Sequence, residues 1–291
     1  MANFILSAFA DEASEDLSGQ IAALRRNGIR YIEPRSIGGA LLEKTDAELQ
    51  EIAETFSAAG IRVSSLGSPI GKYPIDKPFE DHLVQFRRAL QVCRIFGTKN
   101  MRMFSFFVPQ NRLAECRDEV LRRMRILLAE AKEAGITLCH ENEFGIYGQN
   151  PNEVKDLLTS LPGLRGVFDP ANYVTNGQDP IEGMKVTLPS LEYLHIKDAV
   201  MAKKSIVPSG KGDGRIDEAI RLADAARKGE TFLSVEPHLF EFLAYKQIDQ
   251  HELKNEYTFT TADEAFDCAV ASLKEILRHI GFHEENGIWK K

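Results

Sequence analysis

The sequence alternates short apolar or β-branched runs with longer amphipathic stretches, from its first residues almost to its last. The stretches between the runs repeat apolar residues at three- and four-residue steps, which is typical of helices. Strands that alternate with helices build a parallel sheet. Eight strand-like runs, followed by eight helical stretches, predict an α/β protein with a (β/α)8 TIM barrel. The runs are residues 4–9, 29–33, 62–66, 100–104, 137–141, 166–169, 193–197 and 232–236.

Three of the predicted helices end in the same way. Gly28, Gly60 and Gly135 each follow an amphipathic stretch and precede an isoleucine. Glycine at this place closes a helix in the left-handed conformation, and the isoleucine begins the next strand. No linker or low-complexity segment interrupts the pattern, and 291 residues is a common length for one barrel. We therefore predict a single domain that spans residues 1–291.

Composition excludes several classes of function. The net charge of −7 gives no positive field that would attract nucleic acid or an anionic membrane. The apolar runs are shorter than the roughly 20 residues of a membrane helix, and the first residues lack the basic leader of a secretory signal. The four cysteines form no CxxC pair, so neither a thiolate zinc site nor a disulfide framework is expected. We expect a cytoplasmic protein.

The last four predicted strands each end in a residue that can bind a metal. These residues are Glu141, Asp169, His195 and Glu236, about one strand–helix unit apart. The C-terminal ends of barrel strands surround one pocket, so the four side chains should meet there. Three carboxylates and an imidazole suit Mn²⁺, our first expectation, as well as Mg²⁺ or Co²⁺, and they tolerate Zn²⁺. In the alternative, each residue pairs with a lysine or arginine at the rim.

The sequence around these four residues resembles the xylose-isomerase-like TIM-barrel family of sugar isomerases and epimerases. The resemblance extends from residue 4 to about residue 282. The segments that carry it are Glu141-Asn142, Phe168-Asp169-Pro170, His195-Ile196-Lys197-Asp198 and Ser234-Val235-Glu236.

The resemblance implies a reaction and a role for each residue. In the ketose 3-epimerases of that family, the glutamates that match Glu141 and Glu236 bind the metal and act as the acid/base pair. One would remove a proton beside the carbonyl of a keto sugar, giving a metal-stabilised enediolate. The other would return the proton to the opposite face. Asp169 and His195 would serve mainly as ligands.

Two differences from the ketose 3-epimerases, and several other relatives, leave alternatives open. Asn172 stands where those epimerases have a histidine that touches substrate, and Met201 replaces an arginine. Inosose dehydratases and hydroxypyruvate isomerases are similar to the chain in the same way, so a dehydratase that acts on a keto polyol is the runner-up. Endonuclease IV needs further histidines at strands 3 and 4, which this chain lacks. A noncatalytic sugar-binding barrel is the non-enzyme alternative.

Two charged residues of the predicted strands are candidates for contact with a sugar substrate. Lys197 shares a strand face with His195 and could hold a substrate oxygen, or it could pair with a carboxylate such as Glu143. Glu33 ends the second predicted strand and could accept hydrogen bonds from a sugar hydroxyl, or it could pair with Arg35.

Further substrate candidates are Asn172, because of its place in the resemblance, and Lys72 and His238, which lie in loops. The glycine-rich segment 210–214 could wrap a phosphate, although a flexible loop is the simpler interpretation. The long connections 67–74 and 237–261 are typical of lids, binding loops or interface segments. The second of these, rich in aromatic residues, is the basis for expecting a possible homo-oligomer.

Overall fold

The computed structural model describes residues 2–240 and 257–291. The strands are β1 (Ala2–Ala8), β2 (Tyr31–Ile32), β3 (Arg62–Val63), β4 (Leu66–Gly67), β5 (Asn100–Met103), β6 (Thr137–Glu141), β7 (Arg165–Phe168), β8 (Leu191–Ile196), β9 (Asp198–Val200), β10 (Ser205–Val207), β11 (Gly229–Val235), β12 (His283–Glu285) and β13 (Ile288–Lys290). The α-helices are α1 (Leu17–Arg26), α2 (Asp46–Ala58), α3 (Phe79–Phe96), α4 (Leu113–Ala134), α5 (Pro151–Ser160), α6 (Pro170–Thr175), α7 (Pro180–Thr187), α8 (Ile216–Ala226) and α9 (Ala262–His279).

The parallel strands follow one another around a barrel. In the main sheet, β1 pairs with β11, and the order continues through β8, β7, β6 and β5 to β4. The short strands β2 and β3 pair with each other. Two backbone hydrogen bonds connect them to the main sheet: Glu33 N donates to Ala8 O at 3.0 Å, and Gly67 N donates to Pro34 O at 3.0 Å. These bonds close the ring, so the TIM-barrel prediction is confirmed.

The third predicted strand, residues 62–66, is divided into β3 and β4. Arg62 N and Ser64 N donate to the carbonyls of Arg30 and Ile32, whereas Leu66 pairs with Met101 of β5. The chain therefore changes partner between Val63 and Leu66, and it is extended on both sides of that change.

A hairpin at the end of the chain covers part of the first strand. Strands β12 and β13 pair with each other, and β13 runs antiparallel to β1, with Phe4 opposite Trp289. The turn residues Asn286 and Gly287 have φ of 54° and 84°, as a tight hairpin requires. Trp289 is buried, so the hairpin adds an apolar side chain to the core.

The predicted helix ends are confirmed at the three glycines. Gly28, Gly60 and Gly135 have φ of 67°, 73° and 73°, the left-handed conformation of a helix end. One hydrophobic core includes residues from Ala2 to Trp289 and packs the helices against the outer face of the barrel. Within the described residues, no helix is both long and apolar enough to cross a bilayer. In the connection 237–261, residues 241–256 lie outside the described part of the chain.

Candidate metal centre

The barrel strands bring the four predicted ligands to one place. Glu141 ends β6, Asp169 directly follows β7, His195 lies in β8 and Glu236 directly follows β11. Side chains two residues apart on a strand share a face, and the residues two positions before the ligands are buried between the strands: Cys139, Val167, Tyr193 and Ser234. The four ligands therefore form the next layer, at the C-terminal end of the barrel.

The distances fit one bound cation. One ligand atom from each of Glu141, Asp169, His195 and Glu236 lies within 4.8 Å of the others, and all four residues are buried. His195 Nδ1 is 3.2 Å from Glu141 Oε1 and 3.3 Å from Glu236 Oε2. Around an ion with ligand bonds of roughly 2.0–2.2 Å, ligand atoms lie about 3–4.4 Å apart. The two distances at His195 lie in this range, so the group can surround a single ion.

Two atoms of this group have charged neighbours but no hydrogen bond of good geometry with the described residues. They are Asp169 Oδ2 and His195 Nδ1, and each is buried. Lys197 Nζ lies 2.9 Å from Asp169 Oδ2, so that oxygen has a charged neighbour outside hydrogen-bond geometry. Buried polar atoms are normally paired. The two atoms thus fit the coordination of a divalent metal, which the donor set of three carboxylates and an imidazole favours.

The positive side chains around the centre hold the two candidate catalytic glutamates ionised. Burial acts to raise the pKa of Glu141, but His195 and Arg102 outweigh it and bring this pKa to about 2. Burial also acts to raise the pKa of Glu236, which Lys197, His238 and His195 hold well below its usual value. Both glutamates can therefore act as ligands and as proton acceptors.

The pKa of Asp169 is shifted in the opposite direction. Burial raises the pKa of Asp169 to about 7, against the effect of Lys197 and with the help of the charges on Glu141 and Glu236. Three carboxylates crowded in a buried site repel one another. A divalent cation at their centre would remove this repulsion and favour the ionised form of Asp169.

Two asparagines fix the strand ends that carry the ligands. Asn142 donates from Nδ2 to Asp169 O and accepts from Asp169 N, at 2.9 and 3.0 Å. Asn172 N donates to Asp169 Oδ1 at 2.9 Å, and its Nδ2 donates to Glu141 Oε1 at 3.2 Å and to Asn142 O at 2.9 Å. Asn172, a predicted substrate contact, thus holds two of the metal-ligand candidates.

Glu33 does not lie where a sugar hydroxyl would reach it. Its side chain is 0% exposed, and its carboxylate lies 3.3 Å from His195 Nε2, on the nitrogen that faces away from the other ligands. Tyr193 Oη donates to Glu33 Oε1 at 2.6 Å. The expected alternative pair with Arg35 is also absent among the described ion pairs, since Arg35 contacts Asp11, Glu12 and Glu236.

The other predicted substrate residues surround the centre at different depths. Lys197 Nζ lies 2.9 Å from Asp169 Oδ2 and 3.3 Å from Glu236 Oε2, so it pairs with the ligands themselves. Lys72 Nζ lies 2.9 Å from Glu143 Oε2, nearer the rim. His238 Nε2 lies 3.5 Å from Glu236 Oε1.

A second group of possible metal ligands, Glu12, Glu236 and His238, adjoins the first. Arg35 already contacts this group, with Nη1 3.0 Å from Glu236 Oε1 and Nη2 3.2 Å from Glu12 Oε1. The carboxylates of this group thus have a buried cationic partner, as Glu141 has in Arg102 and Asp169 has in Lys197. We therefore assign the positive charge at this second group to Arg35.

The glycine-rich segment 210–214 wraps a carboxylate of the chain itself. The backbone N–H groups of Gly210, Gly212 and Gly214 donate to the side chain of Asp198 at 2.8, 3.0 and 2.8 Å. Ala199 N donates to it as well, at 2.9 Å. These donors are therefore used within the protein, which disfavours the phosphate-binding alternative.

Arg102 is a site residue that the sequence analysis missed. Its Nη1 lies 3.0 Å from Glu141 Oε2, and its side chain is buried. A signal was present, because Arg102 is a charged residue within the fourth predicted strand and parallel barrel strands are buried. In the observed register Arg102 lies opposite Cys139 and so shares its face.

Comparisons with solved structures show the same fold. The IOLI protein with a bound zinc atom has a TM-score of 0.74 at 16% identity, over 95% of this chain and 99% of that one. The probable 3-DHS dehydratase AsbF from Bacillus anthracis has a TM-score of 0.72 at 14% identity, over 93% and 98%. A D-tagatose 3-epimerase-like protein has a TM-score of 0.71 at 15% identity, over 95% and 98%. At these identities the likeness shows the fold alone.

A search of curated proteins found no significant match. A family model described as the xylose isomerase-like TIM barrel matches residues 21–239, which include all four predicted ligands. The match covers well over half of the chain, so the resemblance that the sequence analysis described is confirmed. The chain belongs to the xylose isomerase-like TIM barrel family.

Proposed function

We propose that this protein is a divalent-metal-dependent isomerase or epimerase that acts on a keto sugar or a sugar derivative. One observation carries the proposal: two ionised, buried glutamates, Glu141 and Glu236, meet across a group of ligand atoms whose spacing fits a single cation. Proton abstraction beside a carbonyl needs both a base and a centre of positive charge.

The residues divide the work between them. A divalent metal bound by the quartet would polarise the substrate carbonyl and stabilise the negative charge that develops on its oxygen. Glu141 would take the proton from the adjacent carbon, and Glu236, after taking up a proton from solvent, would deliver it to the opposite face, or the reverse. Glu141 would then release its proton to solvent. Arg102 and Arg35 hold the glutamate oxygens that face away from His195, Glu141 Oε2 and Glu236 Oε1, and so fix both carboxylates.

Among the described residues, Lys197 is the strongest candidate for contact with a substrate oxygen. Its ammonium group lies beside the ligand carboxylates. Burial acts to lower the pKa of Lys197, but Asp169 and Glu236 outweigh it and hold this pKa well above the usual value. A permanently charged donor beside the reacting carbonyl would stabilise the same negative charge as the metal. Lys72 and His238 lie farther out and would contact the distal part of the substrate.

A dehydratase is the second candidate. Asn172 replaces the histidine expected of a ketose 3-epimerase, and its amide hydrogens are directed to Glu141 and Asn142. The structural neighbour described as a probable dehydratase shares the fold. In a dehydratase, the same base would abstract the proton and a β-hydroxyl would leave, with Lys197 as a possible donor to it.

The decisive experiment measures incorporation of solvent deuterium into a panel of keto sugars and keto polyols. We expect exchange with added Mn²⁺ and loss of exchange in EDTA, with restoration by Mn²⁺. Epimerised product supports the first candidate, and loss of water from the product supports the second. Binding of a sugar without exchange under any metal would support the noncatalytic alternative and overturn the proposal.

The metal identity is a further part of the proposal. We propose Mn²⁺ as the metal, with Mg²⁺, Co²⁺ and Zn²⁺ as alternatives that elemental analysis would distinguish.

The net charge of −7 supports a small-molecule partner and opposes nucleic acid and anionic membranes. All four cysteines are free thiols, as in a reducing cytoplasm. Size-exclusion chromatography would test for a homo-oligomer.

A further inference from the structure

We infer that Glu33 is a positioning residue that holds the His195 ring with Nδ1 directed at the proposed metal. This inference rests on the proposed metal site, but it assigns Glu33 a role that differs from the substrate contact predicted from the sequence. The geometry that carries it is a hydrogen-bonded chain inside the barrel, formed by Ser65, Tyr193, Glu33 and His195.

The first link of this chain fixes Glu33. Tyr193 Oη donates to Glu33 Oε1 at 2.6 Å and lies 3.1 Å from Ser65 Oγ. All three residues are buried. Glu33 directly follows β2, and Tyr193 lies on β8, which does not pair with β2, so the contact crosses the barrel interior. This hydrogen bond restricts the orientation of the Glu33 carboxylate.

The second link fixes His195. Both oxygens of Glu33 lie 3.3 Å from His195 Nε2. A carboxylate accepts hydrogen bonds, so Glu33 can accept from the ring N–H at Nε2. Nδ1 is the atom that faces Glu141 and Glu236, at 3.2 and 3.3 Å. When a metal takes the lone pair of Nδ1, the ring proton lies on Nε2, where Glu33 accepts it.

Packing alone would not decide which ring nitrogen faces the ligands. Phe9 and Tyr193 contact the imidazole with ring centroids at 5.1 and 5.5 Å, and these contacts restrict the ring plane. They do not distinguish the two nitrogens by hydrogen bonding, whereas Glu33 does. A carboxylate behind a ligating histidine also makes the imidazole a stronger ligand, and its loss typically weakens metal affinity about 10–100-fold.

The test compares Glu33→Leu, Glu33→Gln and Tyr193→Phe in the full-length protein. Leucine removes both acceptors at similar size, whereas glutamine keeps one acceptor without the charge. Tyr193→Phe leaves Glu33 in place and removes only the hydroxyl that holds it. Asp224→Asn is the matched control, because Asp224 is also a buried carboxylate but binds Ala2 N at the opposite end of β1.

The first readout is the affinity for Co²⁺, with the visible absorption spectrum of the bound ion. We expect Glu33→Leu to weaken binding about 10–100-fold and to change the spectrum, and we expect Glu33→Gln and Tyr193→Phe to weaken it less than about 10-fold. Recovery with glutamine would show that the hydrogen bond, and not the bulk of the side chain, carries the effect. Asp224→Asn should bind Co²⁺ as the wild type does.

The second readout is the Nε2–H proton of His195 in the Zn²⁺-bound protein, observed by long-range ¹H–¹⁵N NMR of the ring. We expect this proton to exchange slowly with solvent in the wild type and faster in Glu33→Leu. Wild-type exchange, or wild-type Co²⁺ binding, in folded Glu33→Leu would overturn the inference. These readouts need no turnover, so an inactive protein that passes them contradicts only the proposed function.

Discussion

Lys197 Nζ lies 2.9 Å from Asp169 Oδ2, and both side chains are buried at the C-terminal end of the barrel. The pair joins a candidate substrate residue directly to a candidate metal ligand. Lys197 also lies 3.3 Å from Glu236 Oε2, so one ammonium group balances two of the carboxylates that would hold the cation. Lys197 and the proposed metal therefore neutralise the same carboxylates. A substitution at Lys197 can separate their contributions.

Lys197→Met should lower stability most when metal is removed. Loss of one partner of a buried ion pair costs about 3–5 kcal/mol, and protonation of Asp169 would offset part of this cost. We expect the free energy of unfolding to fall by about 3 kcal/mol in EDTA and by clearly less in saturating Mn²⁺, because the cation supplies the missing positive charge. Urea unfolding under both conditions measures the difference.

Lys72→Met is the matched control for this prediction. Lys72 forms an ion pair of the same length, 2.9 Å, with Glu143, but that pair lies nearer the solvent, with side chains 11% and 15% exposed. We expect a smaller loss than for Lys197→Met, and one that does not depend on Mn²⁺. Equal losses in the two variants, or no effect of Mn²⁺ on Lys197→Met, would contradict the shared charge balance.

Glu141→Gln and Glu236→Gln should each abolish most of the solvent deuterium exchange. Removal of a positioned acid or base lowers a rate about 10²–10⁴-fold. Exchange should be measured in saturating Mn²⁺, with bound metal confirmed by elemental analysis, because both residues are also predicted ligands. Asp224→Asn, which changes a buried carboxylate at the opposite end of β1, should keep the wild-type rate. Unchanged exchange in both catalytic variants would rule out the two-glutamate reaction.

The barrel could be predicted from the sequence because parallel strands buried on both faces form short apolar runs. The prediction for β6, residues 137–141, matches the observed strand at both ends. Strand three was less predictable, because its division depends on a change of pairing partner, which periodicity does not show. The hairpin β12–β13 was missed although Asn286-Gly287 is a strong turn signal. Its strands are only three residues long, and β13 pairs with β1.

The site was predictable where the topology alone decides the geometry. Glu141, Asp169 and Glu236 end their strands, and the barrel places all such ends around one pocket. The residues behind them were harder to predict. Whether Glu33 faces a substrate or His195 depends on side-chain direction at the end of a two-residue strand, β2. Metal binding itself and the role of Lys197 stay predictions.

Gly212→Ala should destabilise the protein more than the same substitution at a left-handed glycine that has free space around it. A Cβ at this position would lie 2.4 Å from Ala199 O and 2.5 Å from Asp198 Oδ1, so the loop around Asp198 must move. Gly60→Ala is the control, because Gly60 has φ of 73° with no atom within 4 Å of an added Cβ. That control should cost about 1 kcal/mol. Thermal unfolding of both variants measures the two losses of stability. A smaller loss in Gly212→Ala than in Gly60→Ala would refute the steric argument.

His82 should make the protein less stable in mild acid. Its Nε2 accepts a hydrogen bond from Gly71 N at 3.0 Å, and burial lowers its pKa to about 4. In the unfolded chain the pKa is about 6.5, so the unfolded state takes up the proton first as the pH falls. The stability from neutral His82 is therefore complete above about pH 6.5 and is lost toward pH 4, a change of about 3 kcal/mol.

His82→Gln tests this sign directly, because a glutamine oxygen can still accept the hydrogen bond from Gly71 N but does not titrate. We expect the free energy of unfolding, measured by urea in EDTA, to fall less steeply between pH 6.5 and 4 than in the wild type. His283→Gln, at a side chain 56% exposed, should leave the steep wild-type dependence in place. Parallel pH curves for wild type and His82→Gln would mean that burial of His82 contributes nothing to the acid sensitivity, and that another group of the fold is responsible.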